Sequence, residues 1–227
     1  MIIKEKGNVL VISDAHLPFT HKKALDFVCR TRDTYKCDVV IGIGDFFDCH
    51  AISYHEKDPD GDSCGVEMDK ATFMASKWVK EFPTVYQIIG NHTDLLYRKA
   101  KTHGLSKKMI RTFNEAFGLP NTWMWDDEYE KDGVRYQHGT GKSGKYAYMN
   151  WATDNMQSTV TGHTHSSGGI GFTATNRQRV FGMGVGCLID KKSYAMSYGK
   201  HFAKKPLLAC GVVLDDGEQP VFVPMKL

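Results

Sequence analysis

Five short stretches carry side chains suited to binding divalent metal: Asp14-Ala15-His16, Gly44-Asp45, Gly90-Asn91-His92, His138-Gly139 and Gly162-His163-Thr164-His165. Carboxylate and amide oxygens are hard ligands and imidazole nitrogens borderline ones. Two ions held close together need a bridging carboxylate, several O or N ligands each, and open positions for water and substrate. Asp14, His16, Asp45, Asn91, His138, His163 and His165 are sufficient for that. Asp45 is the natural bridge, because a carboxylate offers two oxygens and the charge that lets two cations sit side by side. No thiolate belongs to the set, which points away from a structural zinc site. Each piece alone is ordinary, since a lone Asp-x-His or Gly-Asp is common in loops. Their joint occurrence, each just past an apolar run, calls for a common cause.

Strands must deliver these residues. Residues 8–13 and 38–43 are apolar runs that read as buried strands, ending at Asp14 and at Asp45. The glycines at 42 and 44 let the chain turn sharply there. Residues 21–36 between them have apolar positions at helical spacing, which predicts a right-handed parallel crossover. A helix is predicted over 66–81, and a third strand over 85–89 leading to Asn91. Residues 93–117 read as the longest helical region, open to a break at Gly104 and ended by Gly118. Strands over 134–137 and 158–161 lead to His138 and His163, with a helix over 146–154 between them. The Gly-rich alternating remainder from Gly168 predicts antiparallel strands.

The acidic spacing Asp58-Pro59-Asp60-Gly61-Asp62 has Ser63 where a calcium loop needs Gly, so it reads as a solvated loop around His55. Gly141-Lys142-Ser143 is not a P-loop, because Tyr136 stands where the first glycine belongs. The 227 residues fit one domain spanning 1–227, with no repeat or linker. A net charge of +3 is too small to imply nucleic-acid binding by itself. The basic face of Arg98, Lys99, Lys101, Lys107, Lys108 and Arg111 reads equally as a phosphate-receiving or a plainly solvated surface. Six scattered cysteines without a CxxC pair, no apolar run of membrane-spanning length and no export-type N-terminal run predict a reducing, cytoplasmic setting. No membrane association or protein partner is evident in the sequence.

The order Asp-x-His, Gly-Asp-x-x-Asp, Gly-Asn-His, His, Gly-His-x-His over residues 14–165 resembles the calcineurin-like metallophosphoesterase superfamily, and its small bacterial and phage-type members most of all. The resemblance implies a four-layer α/β/β/α sandwich with a dinuclear site at the strand ends. It implies a first ion on Asp14, His16, Asp45 and His165, and a second on Asp45, Asn91, His138 and His163. His92 would stand beside the substrate phosphate and protonate the leaving oxygen. Manganese suits such a site best, with iron, zinc or nickel as alternatives. Two departures stand out. Thr93, followed by Asp94, replaces the acid that often follows Gly-Asn-His. Cys49 replaces the arginine that Ser/Thr protein phosphatases carry after Asp48, which favours a phosphodiesterase acting on nucleotides or nucleic acid. The alternatives are a phosphomonoesterase or protein phosphatase and an inactive scaffold. Loops over 50–65 and 98–125 are expected to form the substrate-selecting rim.

Overall fold

Val9 and Val11 face one side of the first strand, Leu10 and Ile12 the other, and all four are buried. A strand buried on both faces must lie between two layers, and the fold follows from that. The computed structural model describes residues 1–54, 60–193 and 205–226. His55, Asp58 and Pro59 lie outside the described residues.

Strands β1 (Asn8–Ile12), β2 (Cys37–Gly42), β3 (Val85–Ile88) and β4 (Trp123–Asp126) run parallel. Helix α1 (Ala24–Tyr35) makes the first crossover and α2 (Cys64–Glu81) the second. Helices α3 (Leu95–Thr102) and α4 (Phe113–Phe117) lie between β3 and β4. Strands β5 (Glu128–Lys131), β6 (Val134–Gln137), β7 (Thr159–Thr161), β8 (Gly168–Ala174) and β9 (Arg179–Val185) form a second sheet, order β5-β6-β7-β9-β8. Helix α5 (Ala147–Asn155) connects β6 to β7. Strands β10 (Ala209–Leu214) and β11 (Gln219–Pro224) return to the first sheet, order β11-β10-β1-β2-β3-β4.

The core has two parts. Val9, Val11, Val39, Ile41 and Ile88 meet Tyr136, Val160, Met183 and Val185 between the sheets. Leu10, Ile12 and Val40 meet α1, α2 and α4 on the other side of the first sheet. Helix α5 covers the outer face of the second sheet so closely that a Cβ at Gly182 would strike the backbone of Tyr148 and Met149. The layers are therefore α/β/β/α. No helix among the described residues is long and apolar enough to cross a membrane.

Three local details complete or correct the sequence reading. The break at Gly104 that the sequence left open is present: the region over 93–117 is two helices, α3 and α4, with a single 3-10 turn, Lys107–Met109, between them. Gly104, at φ +74°, ends the first, and a capping box of Thr112 and Glu115 starts the second. The longest helix is therefore α2. Strand β9 pairs antiparallel with β8 but parallel with β7, so the segment after Gly168 is not purely antiparallel. Strand β5 gave no signal in the alternation.

Glu67, in the first turn of α2, accepts the N–H groups of His50 and Ala51 at 2.7 Å each and is buried. It ties down the turn that follows Asp48. Burial, with the Asp48 charge adding to it, pushes this carboxyl from 4.5 up to about 7 against those two donors. The folded state then holds the proton more tightly than the unfolded chain does. The group's contribution to stability is full below about pH 4.5 and declines as pH rises toward 7. Glu67→Ala, which strands two donors, is expected to cost about 3 kcal/mol. Urea melts should show a larger loss at pH 5 than at pH 8; equal losses would contradict the shift.

Candidate metal centre

The carboxyl ends of β1, β2 and β3 meet those of β6 and β7 at one edge of the sandwich. The loops there are stitched to one another. Asp14 N–H donates to Gly44 C=O (3.0 Å), His16 N–H to Asp45 C=O (2.9 Å) and Gly162 N–H to His138 C=O (3.0 Å). Asp14, His16, Asp45 and His163 all have left-handed backbones, φ +51°, +50°, +49° and +65°. Such a conformation costs an L residue roughly 1–2 kcal/mol, and it recurs here because the surrounding structure imposes it. Directly after Asp45, Phe46 lies edge-on to Trp78 and Trp123, and Phe47 stacks on Phe117 at 3.7 Å. Both phenylalanines are buried, so the loop bearing Asp45 is anchored in the core. Emptying such a buried aromatic position costs about 3–5 kcal/mol. A Cβ at Gly90 would overlap the carboxylate and backbone of Asp45, so only glycine lets the β3 loop close on that residue.

The seven predicted ligands fall into two adjoining groups. In the first, Asp14 Oδ1 is 2.9 Å from His165 Nε2 and 3.6 Å from His16 Nε2, and the two Nε2 atoms are 3.2 Å apart. In the second, His138 Nε2 is 3.0 Å from Asp45 Oδ2 and 3.0 Å from Asn91 Oδ1. His163 offers its ring beside His138, and the ligand atoms of Asp45, His138 and His163 lie within 4.8 Å of one another.

Each carboxylate is built in the same way. One oxygen is held by fixed donors: Asp14 Oδ2 accepts the His163 N–H (2.9 Å) and the Ser13 hydroxyl, and Asp45 Oδ1 accepts the N–H groups of His92 (2.7 Å) and Thr93 (3.3 Å). The other oxygen is turned toward imidazole Nε2 atoms. Asp45 Oδ2 is buried and has no hydrogen bond. His138 Nδ1–H donates to Ile43 C=O at 2.9 Å, and His16 Nδ1–H donates to Asp48 Oδ2 at 2.8 Å. Both rings therefore present bare Nε2 lone pairs toward oxygen lone pairs. Only a positive charge between them satisfies that arrangement. Without an ion, protons serve. Burial would lower His16, but the carboxylates of Asp48 and Asp14 push it up to about 10. Burial is likewise overridden at His138, which Asp45 pushes up to about 9. Against their own burial, His138 draws Asp45 down to about 2, and His165 and His16 hold Asp14 well below the carboxylate range. The donor set fits two divalent cations.

His92 joins neither of these two groups; with His16 and Asp48 it forms a third, whose ligand atoms lie within 4.8 Å of one another. Its Nδ1 lies 3.2 Å from the Asp48 carbonyl and 3.4 Å from Asp48 Oδ1, and its ring stands edge-on to His16 at 4.7 Å. Asp48 is the functional residue that motif reading leaves without a role. Buried, it orients His16 with one oxygen and faces His92 with the other. Its signal was its place three residues after Asp45. The two departures also have reasons. The Thr93 hydroxyl donates to Phe47 C=O (3.2 Å) and accepts the Phe47 N–H (3.4 Å), fastening the β3 loop to the β2 loop without an acid. Cys49 lines an apolar cavity with Leu17, Phe47, Met68 and Phe117. Burial raises its thiol well above the ordinary value, so the side chain stays neutral and offers a phosphate no positive charge.

No protein-family model matches the chain, and no curated protein matches it. Among solved structures, Vacuolar Protein Sorting 29 from Cryptosporidium parvum is 13% identical over 97% of this chain and 98% of that one, with a TM-score of 0.48. A metallophosphoesterase from Sphaerobacter thermophilus is 14% identical, covers 97% and 88%, and scores 0.47. Pseudomonas putida nuclease MPE is 16% identical, covers 96% and 87%, and scores 0.46. At these identities the chemistry has to be read from the side chains above.

Proposed function

We propose that this chain is a metal-dependent phosphoesterase of the calcineurin-like type, and that its substrates are phosphodiesters of nucleotides or nucleic acid. One observation carries the reading: the ligand atoms of Asp14, His16 and His165 and those of Asp45, His138 and His163 form two adjoining groups, and His92 stands beside them, its Nδ1 turned to Asp48. Asp14, His16 and His165 would hold one divalent ion and Asn91, His138 and His163 the other, with Asp45 between them. Two such ions, Mn in the first instance, would supply Lewis acidity to the phosphoryl oxygens and a nucleophile from water near neutral pH. The remaining chemistry belongs to the chain. The Asp48 backbone carbonyl fixes the His92 ring through Nδ1, leaving the opposite nitrogen to give a proton to the departing oxygen. Asp48 also holds His16 in the tautomer that presents Nε2.

The diester preference rests on Cys49, which follows Asp48 where the resemblance gives a protein phosphatase an arginine and which lines an apolar cavity instead. With Mn supplied, turnover of bis-p-nitrophenyl phosphate is expected to exceed that of p-nitrophenyl phosphate. Vigorous dephosphorylation of phosphopeptides without diester cleavage would overturn the preference.

A further inference from the structure

Beside the Asn91 loop, two cations gather around one exposed aromatic ring. Tyr54 is 55% exposed. Lys99 Nζ lies 3.6 Å from its ring centroid and Arg98 Cζ lies 5.5 Å from it. The Tyr54 hydroxyl reaches Thr102 Oγ1 at 3.3 Å, so the ring is held against α3. Arg98 Nη1 in turn donates to the backbone carbonyl of Asn91 at 3.4 Å. The guanidinium is thus one hydrogen bond from a residue of the metal centre. Lys70 and Lys142 are each paired with a carboxylate, Asp62 and Asp154. Among the described residues Arg98 and Lys99 are in no such pair. Asp94 lies near enough to feel Arg98, without ion-pair contact.

We propose that Tyr54, Arg98 and Lys99 form a subsite for the nucleotide that flanks the scissile diester in a single-stranded polynucleotide. The inference rests on the diesterase reading and names its substrate class. A cation next to the metal centre suits the neighbouring phosphate. An exposed ring beside it suits an unstacked base, which every base can use whatever its sequence. The combination favours nucleic acid over an acidic peptide, which has charge but no regular planar partner. Lys107, Lys108 and Arg111 are secondary in this arrangement. Lys107 packs over Tyr97, and the three stand further along the chain beyond Gly104.

The test compares wild type with Tyr54→Ala/Arg98→Ala/Lys99→Ala, with Tyr54→Trp, and with a control, Lys22→Ala/Lys77→Ala, in the groove between α1 and α2. Fluorescence anisotropy with a labelled oligo-dT in EDTA reads binding without turnover. The triple variant should bind at least about tenfold more weakly and with a shallower salt slope. Tyr54→Trp and the lysine control should bind like wild type. With Mn, the triple variant's loss on oligonucleotide should appear in KM rather than kcat. Oligo-dT binding that equals wild type in a folded triple variant overturns the subsite, and so does an equal loss for a polyacidic peptide. Absence of Mn-dependent cleavage of bis-p-nitrophenyl phosphate by wild type would instead sink the diesterase reading, whatever the anisotropy shows.

Discussion

Asp45→Ala is expected to strip metal from both halves of the centre and to abolish Mn-dependent turnover. Asp45 is buried, one oxygen is locked by the N–H groups of His92 and Thr93, and the other faces His138 with no hydrogen bond. The locked oxygen fixes the direction of the free one toward His138. Losing an outer-shell partner already costs about 10–100-fold in metal affinity or activity, and removal of a ligand placed between two ions should exceed that. Asp45→Ala also leaves two backbone donors unsatisfied, at about 1–3 kcal/mol each. Asp45→Asn keeps an acceptor for them and removes only the charge, which separates metal loss from misfolding. Metal content by mass spectrometry, with circular dichroism as the control for fold, decides it. An Asp45→Asn protein that retains both ions would refute the assignment.

Most of this centre could be read in the sequence because a parallel strand fixes where its next residues go. Asp14, Asp45, Asn91, His138 and His163 each stand just past the end of a strand, and the two packed sheets bring those strand ends to one edge. The elements that escaped have equally physical reasons. Strand β5 reads Glu-Tyr-Glu-Lys, with Tyr129 facing the core, too short and too charged to register as alternation. The region after Asn91 has helical composition throughout. Gly104 marks its break in the sequence, but the restart of the helix at the Thr112–Glu115 box is not revealed by composition. Asp48 was visible as a letter, but its role needs two distances, one to His16 and one to His92. Likewise the basic run from Arg98 to Arg111 looks uniform in sequence. Only the fold distinguishes Arg98, which touches the Asn91 backbone, from Lys108 in the turn beyond Gly104.

His92→Ala should have the opposite signature from Asp45→Ala: both ions retained, turnover lost. Asn91 and His92 are adjacent, and their side chains leave the chain in different directions. Asn91 Oδ1 faces His138, while the His92 ring turns toward Asp48. Removing the ring takes away no atom of either ligand group. The His92 N–H that fixes Asp45 survives as well, because it belongs to the backbone. Turnover should nevertheless fall by roughly a hundredfold or more, the usual scale for a positioned acid or base. The loss should depend on the leaving group. A p-nitrophenolate departs with little help, so the deficit should be small on bis-p-nitrophenyl phosphate and large on a diester of an ordinary alcohol, such as a dinucleotide. Metal content and the two rate ratios, measured on one preparation, separate the roles. Loss of metal in His92→Ala would make this histidine a ligand, and an equal deficit on both substrates would remove it from proton transfer.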